Sequence, residues 1–276
     1  MALTDLQKEQ YQVLVSEIAS MKRVVVAFSG GVDSTLLLHA AYQALGDGAL
    51  AVSLVTPYSP KAEIAGARRI AEAMGASHRL VEMPIPDAIR ENPPERCYLC
   101  KRSLFGKLRS IAKEEGSAFV IDGSNMDDLD DYRPGFKAVR ELDVRSPLID
   151  AGLTKQDIRD LSREHGLMTW NKPAGACLLT RLPHGVTVDE TELARIDTGE
   201  DFLRSQGFPA VRLRSHGDLA RIELPADAIS GLLAPEVRSV IDARLRELGY
   251  RHVAVDLRGY RMGSLNEPVS DADSKE

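Results

Sequence analysis

Cysteine, basic excess and long apolar runs are all scarce in this sequence, and each scarcity excludes something. Three cysteines in 276 residues cannot make a disulfide framework, and an odd count leaves at least one thiol without a disulfide partner. Cysteine chemistry or metal binding is the better reading. Lys and Arg number 35 against 41 Asp and Glu, a net charge of -6, which removes the broad basic field of a nucleic-acid binder. No nucleic-acid partner is expected, although a local basic site is compatible with that balance. No stretch approaches the roughly 20 apolar residues of a membrane span, and residues 1–11 are polar and mixed in charge, unlike a signal peptide. A cytoplasmic protein without a membrane partner is the expectation.

What is present is an alternation of strand and helix patterns. The length suffices for a full α/β core and a smaller second domain. After a polar helix ending near Met21, residues 23–28 form a short continuous apolar run, typical of a strand covered on both faces. Leu36, Leu37, Ala40, Ala41 and Ala44 then recur at helical spacing up to Gly46. Strands follow at 50–55, 78–81 and 119–122, with helices at about 61–74 and 103–115, and another at 154–165 whose Thr154 and Asp157 are spaced as a capping box. Such alternation implies a parallel, doubly wound sheet. The grammar changes beyond residue 185. A helix at 189–206, two antiparallel strands at 210–214 and 219–224, a helix at 225–248 and a strand at 252–257 make an α-β-β-α-β unit. The expected division is 1–185, 186–262, and a polar, acidic, disordered tail from 263.

Between the first strand and the first long helix of the α/β region stands Ser29-Gly30-Gly31-Val32-Asp33-Ser34. Two glycines let successive amide N-H groups point into one concavity, and the helix that follows adds its positive end. Ser29 and Ser34 supply hydroxyls, and Asp33 suits the Mg2+ of a nucleoside triphosphate. The loop has no Walker lysine, which favours gripping a leaving pyrophosphate over γ-phosphoryl transfer. The motif in this setting resembles the PP-loop ATP pyrophosphatases, which implies transfer of AMP to a substrate oxygen with release of pyrophosphate. Asp122-Gly123-Ser124-Asn125 ends the fourth strand, at the carboxyl edge where open α/β sheets bind ligands. Gly123 and Asn125 are therefore candidates for a second wall of the nucleotide site.

Cys97 and Cys100 form a CxxC, and Cys177 lies far away in Ala174-Gly175-Ala176-Cys177. The residues alone leave four readings open: a redox pair, a structural zinc with His184, a three-thiolate iron-sulfur cluster, and a buried, inert Cys177.

Further segments carry a wider resemblance: Asp131-Tyr132-Arg133-Pro134-Gly135, Asn171-Lys172-Pro173, Ala176-Cys177-Leu178-Leu179-Thr180-Arg181, Val211-Arg212-Leu213-Arg214 and Ala220-Arg221-Ile222-Glu223-Leu224-Pro225. With the glycine loop and Asp122–Asn125 they resemble the LarE family over nearly the whole chain. That resemblance implies ATP-dependent sulfuration of pyridinium-3,5-biscarboxylic acid mononucleotide in nickel-pincer nucleotide synthesis, by carboxylate adenylation and then thiocarboxylate formation. Some members sacrifice the sulfur of the cysteine matching Cys177. Three-cysteine members hold a [4Fe-4S] cluster, and Cys97, Cys100 and Cys177 match that type, with sulfide or another sulfur donor as co-substrate and a homo-oligomer as the assembly. Thr180 departs from the family's usual Ser, and His184 from its usual Tyr.

For such a substrate Arg181, with Thr180 beside it, and Arg212 and Arg214 on one strand face are candidates for a phosphate and carboxylate clamp. Glu200 and Glu223 are candidates for a cation near it, and Arg133 for the phosphates of ATP. The acidic run Asp127, Asp128, Asp130 and Asp131 reads as a solvated loop edge or a helix cap. A tRNA thiolase, an amide-forming adenylating ligase and a non-catalytic nucleotide or iron-sulfur sensor are the competing functions.

Overall fold

The computed structural model describes residues 3–129, 134–173 and 175–260, and the expected tail from 263 lies outside them. The chain divides into two compact units, one up to Gly175 and one from Ala176. The division falls ahead of the boundary expected after residue 185. Its physical reason is that Leu178, Leu179 and Leu182 are buried and Arg181 is ion-paired to Glu200, which ties this turn to the second unit.

The first unit contains α1 (Asp5–Ser20), β1 (Val24–Ala27), α2 (Val32–Leu45), β2 (Ala49–Val55), α3 (Lys61–Met74), β3 (Ser77–Glu82), α4 (Arg96–Glu114), β4 (Phe119–Ile121), α5 (Pro134–Glu141), α6 (Pro147–Asp150) and α7 (Lys155–Glu164). Its four strands are all parallel, in the order β3-β2-β1-β4. Side chains of a strand alternate between faces, and here the alternation feeds two cores. Val24 and Val26 pack with residues of α1, α2 and α7, whereas Val25 packs with Val52, Val120 and residues of α4 and α5. That is the doubly wound, two-faced sheet expected of the apolar runs.

Three elements differ from expectation. Helix α4 begins at Arg96, so Cys97 and Cys100 lie in its opening turns and not in a loop ahead of it; helical periodicity was hidden there by the polar residues around them. The short helices α5 and α6 carry too few residues to show a period.

The second unit contains α8 (Glu190–Ser205), β5 (Arg212–His216), β6 (Leu219–Glu223), α9 (Ile229–Leu232), α10 (Pro235–Glu247) and β7 (His252–Val255). Strand β6 is central, antiparallel to β5 and parallel to β7. Leu213, Ile222, Leu245 and Leu203 form its apolar core. The helix expected over 225–248 is interrupted, because Pro235 takes the first position of α10 and ends any continuous run before it.

Candidate active site

In a parallel sheet every strand delivers its following loop to the same edge. In the first unit the loops after β1 and β4 meet there. The chain leaves β1 toward β2 on one side while β4 lies on the other, which makes this the switch point at which open α/β sheets leave a crevice. The loop after β1 is shaped by Gly30, whose φ is +69°; a Cβ at that position would come within 2.8 Å of the Ala67 Cα. A left-handed residue pressed against the backbone of α3 has to be glycine. Gly31 then caps α2 without a side chain of its own, so the first-turn amides of α2 face outward as an anion site.

Side chains hold that shape. Ser29 and Ser34 approach with their hydroxyls 3.0 Å apart, the Gly31 amide donates to Ser29 Oγ at 3.3 Å, and Ser34 Oγ donates to the Gly31 carbonyl at 3.3 Å. The second wall is Gly123, where a Cβ would meet the Ser34 amide nitrogen at 3.0 Å. The β4 loop lies directly on the start of α2, and a side chain at Gly123 would press on the backbone there. Asn125 donates to Asp33 Oδ1 at 3.4 Å. Asp122 is buried, accepts from Ser124 and Ser146 at 2.6 Å each, and burial pushes its carboxyl pKa up against those two hydrogen bonds and the Lys101 charge. It ties the β4 loop to the segment before α6.

Sequence reasoning gave no role to three residues that complete this site. Lys155 Nζ lies 2.5 Å from Asp33 Oδ2, and its backbone amide donates to Asp127. Its signal was the capping box that starts α7 one residue earlier. Lys172 donates to the Gly30 carbonyl at 2.9 Å and pairs with Glu63 of α3 at 2.6 Å. Asp33, expected at the metal, thus already faces a cation. One carboxylate facing a nucleotide loop is a fitting donor for Mg2+, which binds through one or two carboxylates, substrate phosphates and water. Arg133 lies outside the described residues.

Cys97 and Cys100 are three apart on α4, on one face. Cys97 is exposed, and Cys100 is half-buried with its sulfur 3.1 Å from the hydroxyl of Tyr58. Among the described residues no group of three or more His, Cys, Asp or Glu side chains converges as a metal cage. The soft thiolate pair at the start of a helix suits two corners of an iron-sulfur cluster.

In the second unit the candidate side chains are partnered within the fold. Arg181, expected on a substrate phosphate, is 2% exposed. Its guanidinium grips Glu200 through two bonds of 2.8 and 3.1 Å and reaches the Ala176 and Cys177 carbonyls and Thr180 Oγ1. Each of its three nitrogens donates within the fold. Thr180, expected on substrate, turns its hydroxyl onto the Cys177 carbonyl at 2.9 Å. Glu200, a candidate cation ligand, is 1% exposed and also accepts from Arg204 and the Leu213 amide. Burial works against its charge, but the hydrogen bonds and charge of Arg181, the Leu213 amide and the Arg212 charge outweigh burial and lower its pKa from the ordinary value. Glu223 is likewise buried between Arg214 at 2.8 Å and Arg221 at 3.0 Å, and Arg214 also donates to the Thr180 carbonyl. These charges form one network that fixes the turn carrying Cys177. Arg212 is half-buried with its guanidinium 5.1 Å from the Tyr260 ring centroid; burial and the Arg181 charge lower its pKa.

A glycine loop at the switch point, built to present helix amides and hydroxyls to an anion, defines a nucleotide-using α/β enzyme, and the likeness to known proteins agrees. Residues 7–96 match the family described as NAD synthase. The chain is 40% identical, over 94% of both chains, to the pyridinium-3,5-bisthiocarboxylic acid mononucleotide synthase of Lactiplantibacillus plantarum. It is also 40% identical, over 91% of this chain and 94% of the other, to an uncharacterised protein of Synechocystis. At 28% identity it resembles a component of the glutamine-hydrolysing GMP synthase of Thermoplasma acidophilum, over 69% of this chain and 67% of that one. The chain belongs to the LarE family of PP-loop, ATP-using enzymes.

Proposed function

We propose that this enzyme sulfurates pyridinium-3,5-biscarboxylic acid mononucleotide at the expense of ATP, in nickel-pincer nucleotide synthesis. The observation that carries the reading is the Ser29–Ser34 loop, closed against the β4 loop at Gly123. It offers amides and hydroxyls to the terminal phosphates and has no lysine of its own on them. The name of the Lactiplantibacillus relative supplies the substrate class.

A substrate carboxylate oxygen attacks the α-phosphorus of ATP, the bond to the pyrophosphate oxygen breaks, and an acyl adenylate forms. The loop amides stabilise the charge that accumulates on the departing pyrophosphate, and Asp33 is the residue that would hold Mg2+, which when bound would neutralise phosphate charge. Sulfur then attacks the acyl carbon and AMP leaves, giving a thiocarboxylate. Cys97, Cys100 and Cys177 are the residues that would hold a [4Fe-4S] cluster, which when bound supplies the sulfide nucleophile. Arg212, half-buried beside Tyr260, is the guanidinium assigned to the substrate phosphate.

The test is product analysis with ATP, Mg2+ and the biscarboxylate mononucleotide. AMP and pyrophosphate in equal amounts, dependent on the mononucleotide, are expected. ADP as the product, or AMP formation indifferent to the mononucleotide, would overturn the reading.

A further inference from the structure

The peptide between Gly30 and Gly31 is the most freely rotating one in the nucleotide loop, because neither flanking residue has a Cβ to limit its torsions. Its two ends face opposite ways. In a trans peptide the carbonyl and the N-H point in opposite directions, and there is no cis bond among the described residues. Whatever holds the Gly30 carbonyl therefore fixes this peptide from one end, and at the other end the Gly31 N-H points toward the Ser29 hydroxyl, to which it donates at 3.3 Å.

What holds it is a side chain from 142 positions along the chain. Lys172 donates to the Gly30 carbonyl at 2.9 Å, and the same ammonium is held by Glu63 at 2.6 Å. Glu63 lies in the first turn of α3, the helix on which Gly30 itself rests. The other end of Lys172 is also fixed: Arg159 of α7 donates to its carbonyl at 3.1 Å and to that of Trp170 at 2.9 Å. Carboxylate, ammonium and carbonyl form a strap around the back of the loop, with the amide on its front.

We infer that Lys172 is a positioning residue that pins the Gly30–Gly31 peptide so that its N-H faces the bound pyrophosphoryl group. The inference rests on the pyrophosphate-gripping loop proposed above. A Walker lysine acts from the front by touching phosphate. Lys172 acts from behind, by denying the loop the flipped peptide that would turn a carbonyl oxygen toward the anion. Its charge, already neutralised by Glu63, matters less than its grip.

The experiment measures equilibrium affinity for inorganic pyrophosphate and for AMP separately, in the full-length protein. Lys172→Met is expected to weaken pyrophosphate binding at least tenfold while AMP affinity and the melting temperature stay unchanged. Glu63→Ala gives a sign test. It removes a negative charge near the anion, so electrostatics alone predict tighter pyrophosphate, whereas loss of the grip predicts weaker binding by threefold or more. Unchanged pyrophosphate affinity in Lys172→Met, equal losses for AMP and pyrophosphate, or tighter binding in Glu63→Ala each overturns the inference. Wild-type protein that binds AMP but no pyrophosphate would overturn the reading of the loop instead. Should Lys172→Met fail to fold, the sign in Glu63→Ala decides.

Discussion

Replacing Arg181 by Ala should unfold the second unit before it touches the chemistry. Arg181 and Glu200 are 2% and 1% exposed at their side chains, and removing one partner of a buried pair leaves the other charge desolvated, at a cost of about 3–5 kcal/mol. The same change strips three acceptors, the Ala176 and Cys177 carbonyls and Thr180 Oγ1, of their charged donor. Against a domain stability of about 5–15 kcal/mol, that is a fifth or more of the total. Urea unfolding followed by far-UV circular dichroism should show an early transition assignable to the second unit. The double variant Arg181→Met with Glu200→Gln tests the cause. It removes both charges while leaving an amide oxygen for the Leu213 N-H, which bonds Glu200 at 3.0 Å. It should therefore be more stable than Arg181→Met alone, by about 1–2 kcal/mol of coupling. The Glu200 pKa is depressed in the fold, so its contribution is present above the unfolded carboxylate range and fades as pH falls through the folded value. The wild-type advantage over the double variant should shrink in acid. A single variant within about 1 kcal/mol of wild type, with the Michaelis constant for the mononucleotide selectively raised, would refute this and restore Arg181 as a substrate clamp.

Gly30→Ala forces a side chain at φ +69° to within 2.8 Å of α3, and the loop should lose ATP affinity by at least about tenfold with the fold retained, as calorimetry would show. Asp33→Asn removes the charge that faces Lys155 and that is proposed to serve Mg2+; adenylation should fall by about 100-fold while equilibrium unfolding barely changes, and a loss of fold would mean a structural role. His39 and His165 lie 4.8 Å apart beside Tyr11. Burial lowers both pKa values, with the His165 charge adding to the effect on His39. Their neutral forms thus stabilise the fold above the usual His range, and that stability is lost as pH falls through the lowered values, so His39→Gln should flatten the acid limb of a stability profile. Anaerobic reconstitution should load about four irons per chain, and Cys→Ala at 97, 100 or 177 should abolish the brown absorption; zinc alone, with activity intact, would exclude the cluster.

The strand, the glycine pair and the helix after it were legible from residues 23 to 45, because local chemistry dictates them. A continuous apolar run makes a two-faced strand, adjacent glycines permit a left-handed turn, and Leu and Ala at helical spacing make α2. The Asp122–Asn125 wall was legible for the same reason. What short-range pattern could not show is which charge meets which. Lys155, Lys172 and Glu63 are ordinary polar residues of helices and loops until the parallel sheet brings them to the ends of β1 and β4. Arg181, Arg214, Glu200 and Glu223 carry the residue types of an anion or cation site, and in sequence nothing separates a guanidinium that waits for a phosphate from one that is spent on a buried carboxylate. Burial adds what short-range pattern lacks: once both partners leave water, each must be satisfied by the other, and these side chains brace the Cys177 turn.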